Sequence, residues 1–110
     1  MAVQARKTYR KLSPEMLSDE IRDLFSRHGL RVEDSKVQTY GVPSGATQSR
    51  VAATIVTADE AVCGNVHIIG SAGGDTRMTI DLNGSIVADD VVEALKADID
   101  FMLGAYEVRW

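Results

Sequence analysis

Ser49-Arg-Val-Ala-Ala-Thr-Ile-Val-Thr57, Ala61-Val-Cys-Gly-Asn-Val-His-Ile-Ile-Gly70 and Arg77-Met-Thr-Ile-Asp-Leu-Asn83 are three runs of one stretch, and their reading decides the fold. Each is rich in β-branched or small residues, and each alternates. In the first, Val51, Ala53 and Ile55 fall on one side and Arg50, Ala52 and Thr54 on the other. In the second, Val62, Val66 and Ile68 are expected inward and Cys63, Asn65 and His67 outward. In the third, Met78, Ile80 and Leu82 oppose Arg77, Thr79 and Asp81. A period of two marks half-buried strands. The connections, Ala58-Asp-Glu60 and Gly70-Ser-Ala-Gly-Gly-Asp75, are short and carry turn residues, so neighbouring strands run antiparallel.

Upstream lies a weakly patterned strand over 31–42, ending in the Gly41-Val-Pro-Ser-Gly-Ala-Thr47 loop. Before it, the spacing predicts a helix over 14–28. Ser13 is placed to cap, Pro14 suits the first helical position, and Leu12 with Leu17 makes the pair of a hydrophobic staple. Met16, Leu17, Ile21, Leu24 and Phe25 share a helical stripe, and Gly29 suits the left-handed residue after the end. Downstream, Asn83-Gly84 reads either as a hairpin turn feeding a short strand over 85–87 or as the exit into a helix over 89–103. Asp90 and Glu93 resemble a capping box, and Val92, Leu95, Ile99, Met102 and Leu103 share one face. The tail alternates, so Tyr106, Val108 and Trp110 are expected to dock while Glu107 and Arg109 face water; residues 3–9 alternate similarly.

Four strands joined by short connections and bracketed by two helices make an α+β two-layer sandwich. Both helices cover one face of an antiparallel sheet of four to six strands, in the order (β)-α-β-β-β-β-α-(β). The expected organisation is one domain over 1–110, with a basic arm at 1–11 and a short tail at 105–110. The layout resembles that of TATA-binding-protein-like and helix-grip folds, but no motif of those families is present, and fold carries no function by itself.

With 110 residues, 45% of them hydrophobic, the chain buries a core without needing disulfides or metal. The single cysteine, Cys63, and the absence of an apolar run of membrane length suit a cytoplasmic protein with no membrane contact. Charge is uneven: residues 1–50 carry nine basic and six acidic side chains, residues 51–110 three and ten. Arg6, Lys7, Arg10 and Lys11 would suit an acidic surface. Nucleic acid is disfavoured, because the chain as a whole is −4 and Tyr9 is the only aromatic residue in the arm.

No motif assigns chemistry. The glycine-rich 70–75 stretch is followed by a strand rather than by the helix a phosphate cradle needs, so a hairpin loop is the simpler reading. Cys63 and His67 are four apart on a strand, ~13 Å between Cα atoms, which is too far to share a zinc ion or form a dyad. The acidic pairs Glu33-Asp34, Asp59-Glu60 and Asp89-Asp90 suit strand, turn and helix starts. The expectation is therefore no cofactor, no metal and no catalytic residue, with a His67–Asp81 hydrolase or lyase kept as a remote option.

What remains is the sheet face opposite the helices, with its short, mixed side chains. Arg50, Thr54, Cys63, Asn65, His67, Arg77 and Thr79, together with Tyr106 and Trp110, are the candidate interface or pocket residues. They point to a non-catalytic interaction domain that self-associates, most simply as a twofold homodimer. The alternative is a small apolar-ligand module. Its pocket would lie between the sheet and the second helix, with room left by Ala52, Ala53 and Gly64 and closure by the 42–47 loop.

Overall fold

The computed structural model describes residues 2–41, 47–71 and 75–108. Five strands, β1 (Ala2–Tyr9), β2 (Leu30–Gly41), β3 (Thr47–Thr57), β4 (Val62–Ser71) and β5 (Thr76–Asn83), form one antiparallel sheet in the order β1-β5-β4-β3-β2. Helices α1 (Pro14–Arg27) and α2 (Asp89–Leu103) complete an α+β sandwich, and their buried residues join those of the sheet in one core cluster.

The limits of α1 follow from its local chemistry. The Ser13 hydroxyl accepts the Met16 amide at 3.2 Å, Pro14 fills the first position, and Leu12 and Leu17 are both buried. Beyond the C-cap at His28, Gly29 takes φ +76°, a conformation that would strain a residue with a Cβ. Leu17, Ile21, Leu24 and Phe25 are buried as their spacing requires, whereas Met16 is exposed. Helix α2 buries Val92, Leu95, Ile99 and Leu103, but its start departs from the sequence reading. It begins at Asp89 after an Ala88 cap that makes no side-chain hydrogen bond, so the Asp90–Glu93 capping box does not form. Residues 84–88 are a turn leading into α2 and contain no strand.

Two irregularities set the register. On β2, pairing with β3 slips between Glu33 and Lys36, which is why the strand shows so weak an alternation. On β4, Val56 pairs with Val62 and Ile55 with Gly64, leaving Cys63 as an extra residue. The extra residue reverses the expected inside and outside at this end of the strand. Cys63 is 1% exposed within the core cluster, while Val62 is 64% exposed. From Val66 onward the expected pattern holds, with Val66 and Ile68 buried and Asn65 and His67 exposed.

Long-range polar contacts pin the layers. The Thr76 hydroxyl, buried under α1's entry, donates to the Leu12 carbonyl at 2.6 Å. His28 Nε2 and Asp98 Oδ2 lie 2.6 Å apart, tying the end of α1 to α2. The C-terminal residues dock on the free edge of β1. Gly104–Tyr106 forms a 3-10 turn, Glu107 bridges Tyr9, and the Val108 amide donates to the Thr8 carbonyl at 2.7 Å.

Gly64 abuts the bulge, and a Cβ built on it would collide with the backbone carbonyl oxygen of Asp81 on β5. Because that neighbour is backbone, relief requires moving a strand. Gly64→Ala is expected to destabilise the fold by about 1–3 kcal/mol, the usual scale of core overpacking, measured as a lowered urea midpoint at unchanged slope.

Candidate functional site

The helices leave one face of the sheet uncovered, and the register places its side chains in rows. One row runs Thr8, Arg77, Ile69, Arg50 and Gln38 across the five strands. The next runs Arg6, Thr79, His67, Ala52 and Lys36, and the third Gln4, Asp81, Asn65, Thr54 and Glu33. Partners in a row stand ~5 Å apart. Of the sequence-based candidates, Arg50, Thr54, Asn65, His67, Arg77 and Thr79 thus come together on one surface. Arg50, Asn65, His67 and Arg77 are exposed there, and Thr54 and Thr79 half-buried.

Three expectations are corrected. Cys63 does not belong to this face, since the bulge turns it into the core, where its thiol donates to the Ile55 carbonyl at 3.4 Å. Tyr106 sits in the 3-10 turn rather than in an extended tail and is 40% exposed, whereas the neighbouring Glu107 side chain is only 12% exposed. The alternation of the tail was therefore a poor guide to what is buried. Gly64 does not open an enclosed pocket, because the Asp81 carbonyl occupies the space a Cβ would take, and what lies beside it is an open depression of about 420 Å³ lined by Val62, Asn65, Asp81 and Asn83. Trp110 and residues 42–46 of the expected closing loop lie outside the described residues.

The open face is cationic. Arg6, Lys36, Arg50 and Arg77 are all exposed and, among the described residues, none has a carboxylate partner. The two carboxylates on the face are engaged: Glu33 with Arg31 at 3.4 Å, and Asp81, which accepts a hydrogen bond from Gln4 Nε2 at 2.9 Å. Helices α1 and α2 carry the opposite charge, with nine carboxylates against three cations. Sequence reading missed this partition because it weighed charge by position along the chain rather than by side of the sheet.

His67 pairs across from Thr79, leaving Asp81 on the diagonal, ~7–8 Å away, and its carboxylate is held by Gln4. No group of three or more metal-ligating side chains gathers among the described residues. The same residues contain no helix long and apolar enough to cross a membrane.

A second polar cluster was not anticipated. The Lys7 ammonium lies 3.1 Å from Asp100 and 3.5 Å from Glu107, beside Tyr9, which is 1% exposed and whose hydroxyl has no hydrogen-bond partner among the described residues. Burial raises the Tyr9 pKa above the ordinary phenol range, and the nearby Glu107 and Asp100 carboxylates raise it further. Next to this cluster, between β1 and α2, is a groove of about 310 Å³. This is where the structure leaves space between sheet and second helix.

One variant and one reagent probe this geometry. Tyr9→Phe removes a buried hydroxyl with no hydrogen-bond partner among the described residues and should stabilise the fold by about 1 kcal/mol in urea unfolding at neutral pH. Because the folded-state pKa is raised, the Tyr9 contribution is intact below the unfolded phenol value of ~10 and is lost as pH rises beyond it; the Phe variant should lose less stability over that window. Burial also raises the Cys63 thiol pKa, outweighing a lowering by a backbone hydrogen bond, so Cys63 should resist a thiol reagent at pH 8 in the native protein and react promptly in urea. No family model, curated protein or solved structure matches the chain, so its function has to be read from these surfaces.

Proposed function

We propose that the protein is a non-catalytic interaction domain that self-associates, the open sheet face of one copy meeting the acidic helical layer of the next. The observation that supports this reading is the partition of charge: Arg6, Lys36, Arg50 and Arg77, without carboxylate partners among the described residues, on one side, and an excess of carboxylates on α1 and α2 on the other. A twofold contact through the sheet faces would set arginines of one copy against those of its partner, which costs free energy. Charge complementarity instead favours a head-to-tail contact, which closes into a ring or continues as a chain.

Size bounds the affinity. Five strands span ~20 Å, and seven or eight residues run ~25 Å along them, giving on the order of 500 Å² per partner. A standard stable interface buries ~800 Å² on each side, so the contact is weak and carried largely by screened electrostatics. A small-ligand reading has one observation in its favour, the groove between β1 and α2, but that groove is open along a strand edge and does not enclose a molecule.

Sedimentation velocity across a dilution series tests the proposal. Species heavier than 11.9 kDa are expected at ~0.02 M salt and should dissociate towards ~0.5 M. Arg50→Glu combined with Arg77→Glu should abolish them at low salt. A clean monomer at every concentration and salt level would falsify self-association.

A further inference from the structure

β1 is an edge strand whose free side is only partly used. In an antiparallel strand the N–H and C=O of every second residue point to the same side. The Thr8 carbonyl accepts the Val108 amide, and the Arg10 amide donates to the Tyr106 carbonyl, both at 2.7 Å and both away from β5. β1 pairs with β5 without a bulge, so the N–H and C=O of Arg6 and Gln4 share that outward phase. Among the described residues no strand pairs with them.

Beside this stretch lies the 310 Å³ groove, with Ala5, Met78 and Ile99 providing an apolar floor and Arg6, Lys96 and Asp100 on its rim. Its room comes from Ala5: where this small side chain faces α2, the helix has nothing large to close upon. The Lys7 charge is held by Asp100 and Glu107, whereas Lys96 has only a loose contact of 3.9 Å with Glu93. Arg6 has no carboxylate partner among the described residues.

We propose that this edge and groove form a docking site for an extended peptide segment of a partner protein. The segment adds alongside Gln4–Arg6 as a further antiparallel strand, in line with the chain's own residues 106–108. Its backbone bonds to the outward groups of Gln4 and Arg6, an aliphatic side chain lies between Ala5, Met78 and Ile99, and the acidic side chains that alternate with it lie on the other side of the added strand, beside Arg6 at the edge of the open face. Main-chain pairing supplies affinity, and the groove selects the side chain, as in other sheets that accept an added strand next to a helix. The Arg6 charge, which has no carboxylate partner among the described residues, is what selects acidic over basic segments.

Titration of the full isotope-labelled chain with the peptide Ac-Ser-Glu-Leu-Glu-Val-Glu-Ser-amide, followed by amide exchange, tests this proposal. At saturation the Gln4 and Arg6 amides should exchange about tenfold more slowly or better, and Ala5→Leu, which fills the groove, should weaken binding about tenfold or more. Arg6→Glu, exposed and safe for folding, should do the same, and lysines in place of the peptide's glutamates should abolish binding. Absence of protection at Gln4 and Arg6 with millimolar peptide overturns the site. Shifts confined to His67, Arg50 and Arg77 would place the acidic peptide on the open face instead, overturning this proposal while leaving the charge-based one standing. Binding only after removal of residues 109–110 would assign the edge to the chain's own terminus. Equal binding of a neutral apolar molecule in the groove, without edge protection, would also count against a peptide strand.

Discussion

The close approach of β4 to β5 at Gly64, with the extra residue Cys63 just before it, is the constraint on which the two-sidedness of this sheet depends. A strand that slips by one residue exchanges its faces entirely. Here the turn after β3 delivers Val62 to the solvent side, and the bulge absorbs one residue, so that Val66 and Ile68 return to the core opposite Ala53 and Val51. Only glycine lets the Asp81 carbonyl come as near as this geometry requires. Without that correction, His67 and Asn65 would be turned into the apolar core cluster, where burying polar side chains costs free energy.

Once the faces are set, charge follows them. The carboxylates at Asp89 and Asp90 suit the positive end of α2, and Glu15 suits that of α1, so part of the acidity of the helical layer belongs to helix formation itself. The cations of the sheet have no such structural reason. Arg50 and Arg77 flank Ile69 on neighbouring strands, where like charges raise the energy of the isolated domain. Exposed Arg and Lys without carboxylate partners are tolerable in water but add nothing to the fold, which is why this surface carries the functional reading.

The legible parts of the sequence were the local ones. Ser13, Pro14 and Gly29 act within a few residues of themselves, and they delimit α1 correctly. The alternation of Arg77 to Asn83 needs no knowledge of its partners, and Arg50, Asn65, His67 and Arg77 were assigned to the uncovered face for the same reason. What could not be read depends on residues far along the chain. A bulge exists only relative to the strand opposite, so Cys63 looked outward by counting while lying in the core. Glu107 is drawn in by Lys7, and Thr76 by Leu12, across separations that no spacing rule encodes.

The two edges of the sheet are managed differently, and the difference bears on where a partner strand could add. β2 is interrupted by its own bulge and carries Arg31, Glu33 and Lys36 along its length, features that discourage a second strand from pairing in register. β1 has an unbroken register from Ala2 to Tyr9, and among the described residues its outer side is covered at its end, by residues 106–108. The groove under α2 lies beside the next stretch of β1, Gln4 to Lys7, whose outward backbone groups pair with no strand among the described residues. An edge left open by weak folding constraints would show frayed pairing on its inner side as well; here the inner side is fully paired to β5, which keeps the outward groups of Gln4 and Arg6 in the same phase as those of Thr8 that residues 106–108 engage.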